Sequence, residues 1–433
     1  MAILLSWIAA SLFLGAIALR RILEGRLPDA DDVHKLVRAR DLLTGQGWFE
    51  WKPYDLGPAE ALAVPWSQLA DLPLAGLILL LSRFMDMAAA ERVAIIALPL
   101  IVLLLFLLVA GRLAWRLFDR PTAVCVCLVA VLLPGVAMAF QPLRIDHTNW
   151  QIVAVGLAAW TLAWRTAPSG GAAAGLAMAF GLTLSFDLWL IAIAFGLLLA
   201  LRWLRDHRER WWLVSYLQAL ALGLTVLFLL TRGPGAIAPS CLMISPPQLG
   251  MAIVMALGAG ALAVFPPLPR VTLALAWTTI AALGAGFAML LAPECSSPFA
   301  IAAMPNAPGI WPGFAGDAGP LWDRPLGEAA PALLQLALAL VVALYLASIH
   351  RDWQRSWWFE YALLLSLAMA GSIVVARTLS FAGALSALPI GWFVARVLKR
   401  WRAHDGMLPR IALAAALVLV LAPGALVLLA QRI

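Results

Sequence analysis

Two short segments hold the ionisable residues whose types and spacing best suit chemistry. Asp29-Ala30-Asp31-Asp32 puts three carboxylates within four residues. One Asp is a good helix N-cap and suits the positive end of the helix dipole. Three repel one another unless a cation or a base partner is near, which points to a metal ion or to proton transfer. The second segment, QPLRIDHTNWQ from Gln141 to Gln151, presents Asp146 and His147, ligand types that suit a divalent ion. Arg144 beside them can offset their charge or hold a phosphate. The competing reading is an interfacial cap anchored by Asn149 and Trp150.

Other candidates are scattered. Asp187 and Arg377 stand near the ends of long apolar stretches, where ionisable groups face a polar cavity or pair with one another. Arg377, in VVARTLSF, offers a planar fork to a phosphate, and Arg232 is a second such cation. The segment from Pro293 to Pro331 is rich in Gly and Pro and too long for an ordinary connection. Its Trp311, Phe314 and Trp322 can stack on a sugar or lie at the headgroups, and Glu328 near its end is a further acid. No GxSxG, HExxH, Walker or GxGxxG arrangement competes with these residues.

What positions these groups is a membrane. Of 433 residues, 64% are apolar and 12% charged, roughly half the charged fraction of a soluble domain, and mean hydropathy is +0.93. A soluble globule is excluded. The chain reads as all-α, a polytopic membrane protein of about 13 spans of the length that crosses about 30 Å of hydrocarbon. The expected spans are residues 3–19, 94–113, 123–140, 152–164, 172–185, 188–203, 212–230, 251–265, 271–291, 333–347, 361–376, 382–398 and 411–429. The first is a retained span, not a signal peptide. A helix over 72–84 is too short to cross and stays at the outer surface. With the N-terminus inside, the Arg clusters at 112–120, 202–210, 351–355 and 399–410 all fall in cytoplasmic loops. Making residues 72–84 a crossing would move every one of them outside. The net charge of +7 reflects those loops and not nucleic acid.

One domain, 1–433, therefore carries a long first periplasmic loop (20–91) with amphipathic helices and a late periplasmic loop (292–331). The candidate acids collect on the outer face. Cys125 and Cys127 lie inside an apolar stretch and read as buried hydrophobes. Cys241 and Cys295 lie in outer segments, and a disulfide between them is left open.

In this order the features resemble the GT-C superfamily of membrane glycosyltransferases, and most of all the catalytic subunit of oligosaccharyltransferase. DADDVHKLVRARDLLTGQGWFEW is similar to the family's first acidic motif, RIDHTNWQ to its second, and GEAAP to the Glu-containing motif of its late loop. The resemblance implies Asp31, Asp32, Asp146 and Glu328 as catalytic groups. It implies Asp32, Asp146 and His147 as ligands of Mg²⁺ or Mn²⁺, and Arg377 as a phosphate-binding residue by position. The WWDYG motif is absent from the sequence and no extramembrane C-terminal domain is expected, so protein N-glycosylation is not the expected reaction.

The expected activity is transfer of a sugar or small glycan from a polyprenyl-phosphate-linked donor to a periplasmic-side acceptor, whether lipid, glycan or protein. The expected location is the inner membrane, with the site facing the periplasm. Arg144, Asp187, Arg232, Arg377 and Trp322 are the expected substrate-binding residues. Two alternatives compete. A transporter or lipid flippase with an acidic cation or proton site needs polar groups near the bilayer midplane and internal inverted repeats, neither of which is evident. A structural subunit needs the carboxylates to lie apart in space.

Overall fold

The structure is a computed structural model that describes residues 1–50, 67–241, 243–296, 319–404 and 406–430. The described residues form helices and no strands. In chain order they are α1 (Ala2–Glu24), α2 (Ala30–Leu43), α3 (Asp71–Leu81), α4 (Met87–Leu117), α5 (Arg120–Ala130), α6 (Pro134–Ala139), α7 (Thr148–Thr161) and α8 (Ala167–Leu184). There follow α9 (Trp189–Arg205), α10 (Arg210–Thr231), α11 (Pro246–Val264), α12 (Arg270–Leu291), α13 (Leu326–Ile349), α14 (Asp352–Val374), α15 (Leu379–Ala403) and α16 (Met407–Ala430).

Among the described residues ten helices are long and apolar enough to cross a membrane: α1, α4, α8 to α12 and α13 to α15. The all-α polytopic reading stands on these. The remaining three of the expected thirteen crossings would have to come from α5 with α6, from the 14-residue α7 and from α16. The span expected over 123–140 is two helices. Pro134 has no N–H for a helical bond, and it holds Leu133 extended, at φ −83° and ψ 122°. Helix α3 has 11 residues, about 16 Å at 1.5 Å per residue, roughly half a hydrocarbon core.

The chain divides into two compact units. The first comprises Met1–Val37, Pro73–Gly156 and Pro320–Ile433. Helix α15 is the most buried of its candidate membrane spans, packed against α5, α6, α13, α14 and α16. Close approach to α5 depends on Gly391: a Cβ there would stand 2.5 Å from the Cα of Val126. Tyr361 of α14 ties to α15 by donating from its hydroxyl to the Leu385 carbonyl (2.6 Å), and Trp7 of α1 donates to the Leu100 carbonyl of α4 (2.7 Å).

The second unit comprises Arg38–Leu72 and Leu157–Gly319. Helices α8 and α10 form its largest packing interface, where Gly171 and Gly175 of α8 leave no room for side chains against the backbone at Trp212 and Tyr216. The Tyr216 hydroxyl donates to the Ala192 carbonyl of α9 at 2.7 Å. Beyond the ends of α10 and α12, Cys241 and Cys295 form a disulfide, which settles the pairing left open by the sequence. At the start of this unit Arg38 Nε stands 3.1 Å from Asp71 Oδ2, both buried, a pair that nothing in the sequence pattern announced.

Candidate active site

Asp31 and Asp32 open α2, but neither caps it. Asp29 does, its Oδ1 accepting from the N–H groups of Asp31 (3.0 Å) and Asp32 (3.3 Å). Capping therefore uses one of the three acids and leaves the other two side chains for other work. Asp32 is fully buried and Asp31 nearly so.

The second segment wraps around Asp32. Phe140 ends α6, and Leu143 then takes a left-handed backbone at φ 75°, which costs a bulky residue on the order of 1–3 kcal/mol. Burial and a hydrogen bond from its N–H to the Ile95 carbonyl of α4 (3.0 Å) hold it there. The turn sends the Ile145 N–H to Asp32 Oδ1 at 2.8 Å. Asp146, two residues before the start of α7 at Thr148, accepts from the Thr148 N–H (2.9 Å) and hydroxyl (3.1 Å). Asn149 donates to the Arg144 carbonyl at 3.3 Å, and Arg21 of α1 donates to Gln141 Oε1 at 3.2 Å.

Arg144 is the charge at the centre. Its Nη1 contacts Asp29 Oδ2 and lies 3.8 Å from Asp32 Oδ2, while its Nε lies 3.6 Å from Asp146 Oδ2. Three carboxylates from two chain segments thus share one guanidinium. Burial opposes the charge of Arg144, but Asp32, Asp146 and Asp29 outweigh it and raise its pKa.

The acids separate by environment. Burial pushes Asp31 up to about 7; Arg377 opposes the rise, and Asp29 and Asp146 add to it. Burial likewise raises Asp32 well above the usual carboxylate range, against the pull of Arg144. Asp146 is also buried, yet Arg144, His147 and the Thr148 N–H outweigh that burial and lower it. An acid near neutrality beside an ionised one is the arrangement from which acid–base roles are read.

Arg377 lies in a single helical turn between α14 and α15, and its charge acts on both Asp31 and Asp146. An apolar cluster of Leu321, Ala329 and Ala376, with Leu333 and Leu379 against it, packs the 321–329 segment onto that turn. This places the chain neighbours of Trp322 and Glu328 beside the neighbour of Arg377. Trp322 itself is exposed. The Glu328 side chain lies outside the described residues, as do Trp311 and Phe314.

Asp187 and Arg232 belong to the second unit. Asp187 is buried in the turn between α8 and α9 and accepts from the Ser185 hydroxyl at 2.7 Å. Arg232 ends α10, with Nη1 3.0 Å from the Met243 sulfur, and burial lowers its pKa. Residues the sequence reading did not assign are Asp29 as the partner of Arg144, Thr148 and Asn149 as supports, and Leu143. The spacing of Asp29 ahead of Asp31 and Asp32 carried the signal for the first.

A divalent ion held by Asp32, Asp146 and His147 meets an obstacle. At the 2.0 to 2.3 Å typical of such ions, it would stand on the order of 4 Å from the Arg144 guanidinium. The repulsion there is about 8 kcal/mol at an effective dielectric of about 20, twice that of two unit charges. Asp146 accepts from Thr148 with each of its oxygens, which leaves a further lone pair on each. Among the described residues no three His, Cys, Asp or Glu side chains converge to hold a metal. Arg144 therefore stands where the expected Mg²⁺ or Mn²⁺ would have to be accommodated.

No protein-family model matches the sequence, and no curated protein matches it. Solved structures do match. The archaeal oligosaccharyltransferase AglB from Archaeoglobus fulgidus, in complex with an inhibitory peptide and a dolichol-phosphate, superposes with a TM-score of 0.70 at 14% identity, over 99% of this chain and 56% of that one. The Archaeoglobus fulgidus oligosaccharyltransferase in the apo form gives 0.61 at 13% identity, over 99% and 56%. The complex of that enzyme with Zn and sulfate gives 0.59 at 13%, over 97% and 53%. The chain spans a little over half the length of these proteins. With its apolar helices, it shares the all-α, multi-pass, GT-C-like fold of these structures.

Proposed function

We propose that this protein is a membrane glycosyltransferase. It moves a sugar or small glycan from a polyprenyl-phosphate-linked donor to a hydroxyl-bearing acceptor on the extracytoplasmic side of the inner membrane. The observation that carries the reading is the opposition of Asp31 and Arg377 in one unit, a near-neutral acid facing a fixed cation. A general base works best with a pKa near ambient pH, and a guanidinium matches a phosphate.

In the reaction, Asp31 takes the proton of the acceptor hydroxyl as its oxygen attacks the anomeric carbon. The bond from that carbon to the donor phosphate oxygen breaks, and the electron pair leaves with the lipid phosphate. Arg377 neutralises that leaving phosphate, and Arg232 is a second candidate for the same work. Asp32, Asp146 and Arg144 hold the base's surroundings in shape, and no step runs through a metal. Trp322, in the segment packed on the Arg377 turn, stacks on sugar, and Glu328 remains a candidate catalytic group. Asp187 remains a candidate substrate contact.

Sidedness has independent support. Counted from a cytoplasmic N-terminus, the segments bearing Asp31, Asp146, Cys241, Cys295 and Arg377 all lie outside. Disulfides persist in oxidising compartments, so the Cys241–Cys295 bridge agrees with that count. One structural match, solved with an inhibitory peptide and a dolichol-phosphate, supports a lipid-linked donor and a separate acceptor here.

The test is incubation of purified protein with a panel of polyprenyl phosphate sugars. Donor-dependent release of free lipid phosphate that Asp31→Asn abolishes is expected. Release that survives Asp31→Asn, or coupled solute flux in proteoliposomes with no release, overturns the reading.

A further inference from the structure

The acidic cluster draws a cation from within the chain. Arg144 reaches Asp29 and Asp32 through Nη1 and Asp146 through Nε, so two edges of one fork serve carboxylates from α2's N-terminus and from the loop before α7. A guanidinium can do this because its donors are spread in a rigid plane, whereas an ammonium is a single point charge. Its backbone is held on every side. The Arg144 N–H donates to the Gln141 carbonyl (3.1 Å) and its carbonyl accepts from Asn149 (3.3 Å). The left-handed Leu143 precedes it, and Ile145, bonded to Asp32, follows. Asp32 Oδ2 is buried, accepts no hydrogen bond and lies 3.8 Å from Arg144 Nη1.

We propose that Arg144 is the resident cation of this cluster, occupying among Asp29, Asp32 and Asp146 the place a divalent ion would otherwise fill. The inference does not depend on the transfer reaction, since its readout is metal binding. Truncating the guanidinium leaves uncompensated buried carboxylates, which are what a hard cation seeks.

The experiment is a Mn²⁺ titration of the purified, detergent-solubilised protein followed by electron paramagnetic resonance. The wild type shows no stoichiometric site, while Arg144→Gln gains about one Mn²⁺ per chain at roughly tenfold or greater affinity. Adding Asp146→Asn to Arg144→Gln removes that site, and Arg144→Lys, which keeps the charge, binds none. A stoichiometric Mn²⁺ site in the wild type that Asp32→Asn or Asp146→Asn abolishes overturns the inference. So does a folded Arg144→Gln that gains no site. Should Arg144→Gln not fold, the wild type and Arg144→Lys decide: a site in either overturns the inference, and none in either upholds it.

Discussion

The backbone N–H of Ile145 donates to Asp32 Oδ1 at 2.8 Å, joining the first turn of α2 to a loop 113 residues further along the chain. That bond gives Asp32 a structural task separable from its charge. Asp32→Ala leaves a buried N–H and a buried guanidinium each short of a partner, at a cost of about 2–4 kcal/mol. Asp32→Asn keeps the accepting oxygen, and the cost falls to about 1 kcal/mol or less. Thermal unfolding in detergent, followed by tryptophan fluorescence, separates the two. Transfer falls at least tenfold in Asp32→Asn and in Asp146→Asn although both stay folded, because each alters the charge around Asp31. Full activity in both variants removes the acidic cluster from the mechanism.

Asp31 links stability and activity in opposite directions. Its folded pKa is raised from 3.8 to about 7, so the folded state holds the proton more tightly than the unfolded chain. Its contribution to stability is therefore complete below pH 3.8 and is lost as pH rises through about 7. The difference of about 3 pKa units corresponds to about 4 kcal/mol. Asp31→Asn, which mimics the neutral acid, should be more stable than wild type at pH 8 and equal to it near pH 4. The same variant should be inactive, and wild-type transfer should climb between pH 6 and pH 8. Paired melting and activity profiles over that range check both; a wild type whose activity falls as pH rises through 7 does not use Asp31 as its base.

Much of this architecture was legible in the sequence, for a physical reason. Apolar length and Arg placement report directly on the bilayer, so the all-helical, multi-pass layout and the short helix beginning near Leu72 could be read from hydropathy and charge alone. What hydropathy does not carry is local backbone geometry. Residues 123–140 are apolar throughout, yet Pro134 divides them into α5 and α6. Charge partners are equally invisible along the chain. The DADD segment declared that a cation was needed, but only the fold shows that Arg144 meets the need and that Asp29 does the capping. Asp187 and Arg232 share a side of the membrane with that segment by count, and they belong to the second compact unit.

Arg377 is expected to act on substrate and on the base at once. Its charge opposes the burial that raises Asp31, so removing it lifts the Asp31 pKa further. In Arg377→Gln the rise of transfer with pH should move to higher pH, and the rate above that rise should fall by about a hundredfold for want of the phosphate partner. Arg377→Lys keeps the charge and should hold the wild-type pH profile while losing only part of the rate, since one ammonium does not reproduce the fork. Steady-state rates for both variants from pH 6 to pH 9 distinguish these roles. An unshifted profile in Arg377→Gln separates the guanidinium from Asp31.

The Cys241–Cys295 bridge spans 54 residues and holds the segment after α10 to the end of α12. Closing a loop of that length in the unfolded chain is worth about 4 kcal/mol on the chain-entropy account. Cys241→Ser with Cys295→Ser should therefore lower the melting temperature, and dithiothreitol should lower that of the wild type while leaving the double variant unchanged. The bridge lies in the second unit, whereas Asp31, Arg144 and Arg377 lie in the first. Residual transfer at permissive temperature should then keep the wild-type pH profile. Mass spectrometry of the protein isolated from its native membrane tests the premise: a free thiol at both positions would place these segments in a reducing compartment and reverse the topology argued above.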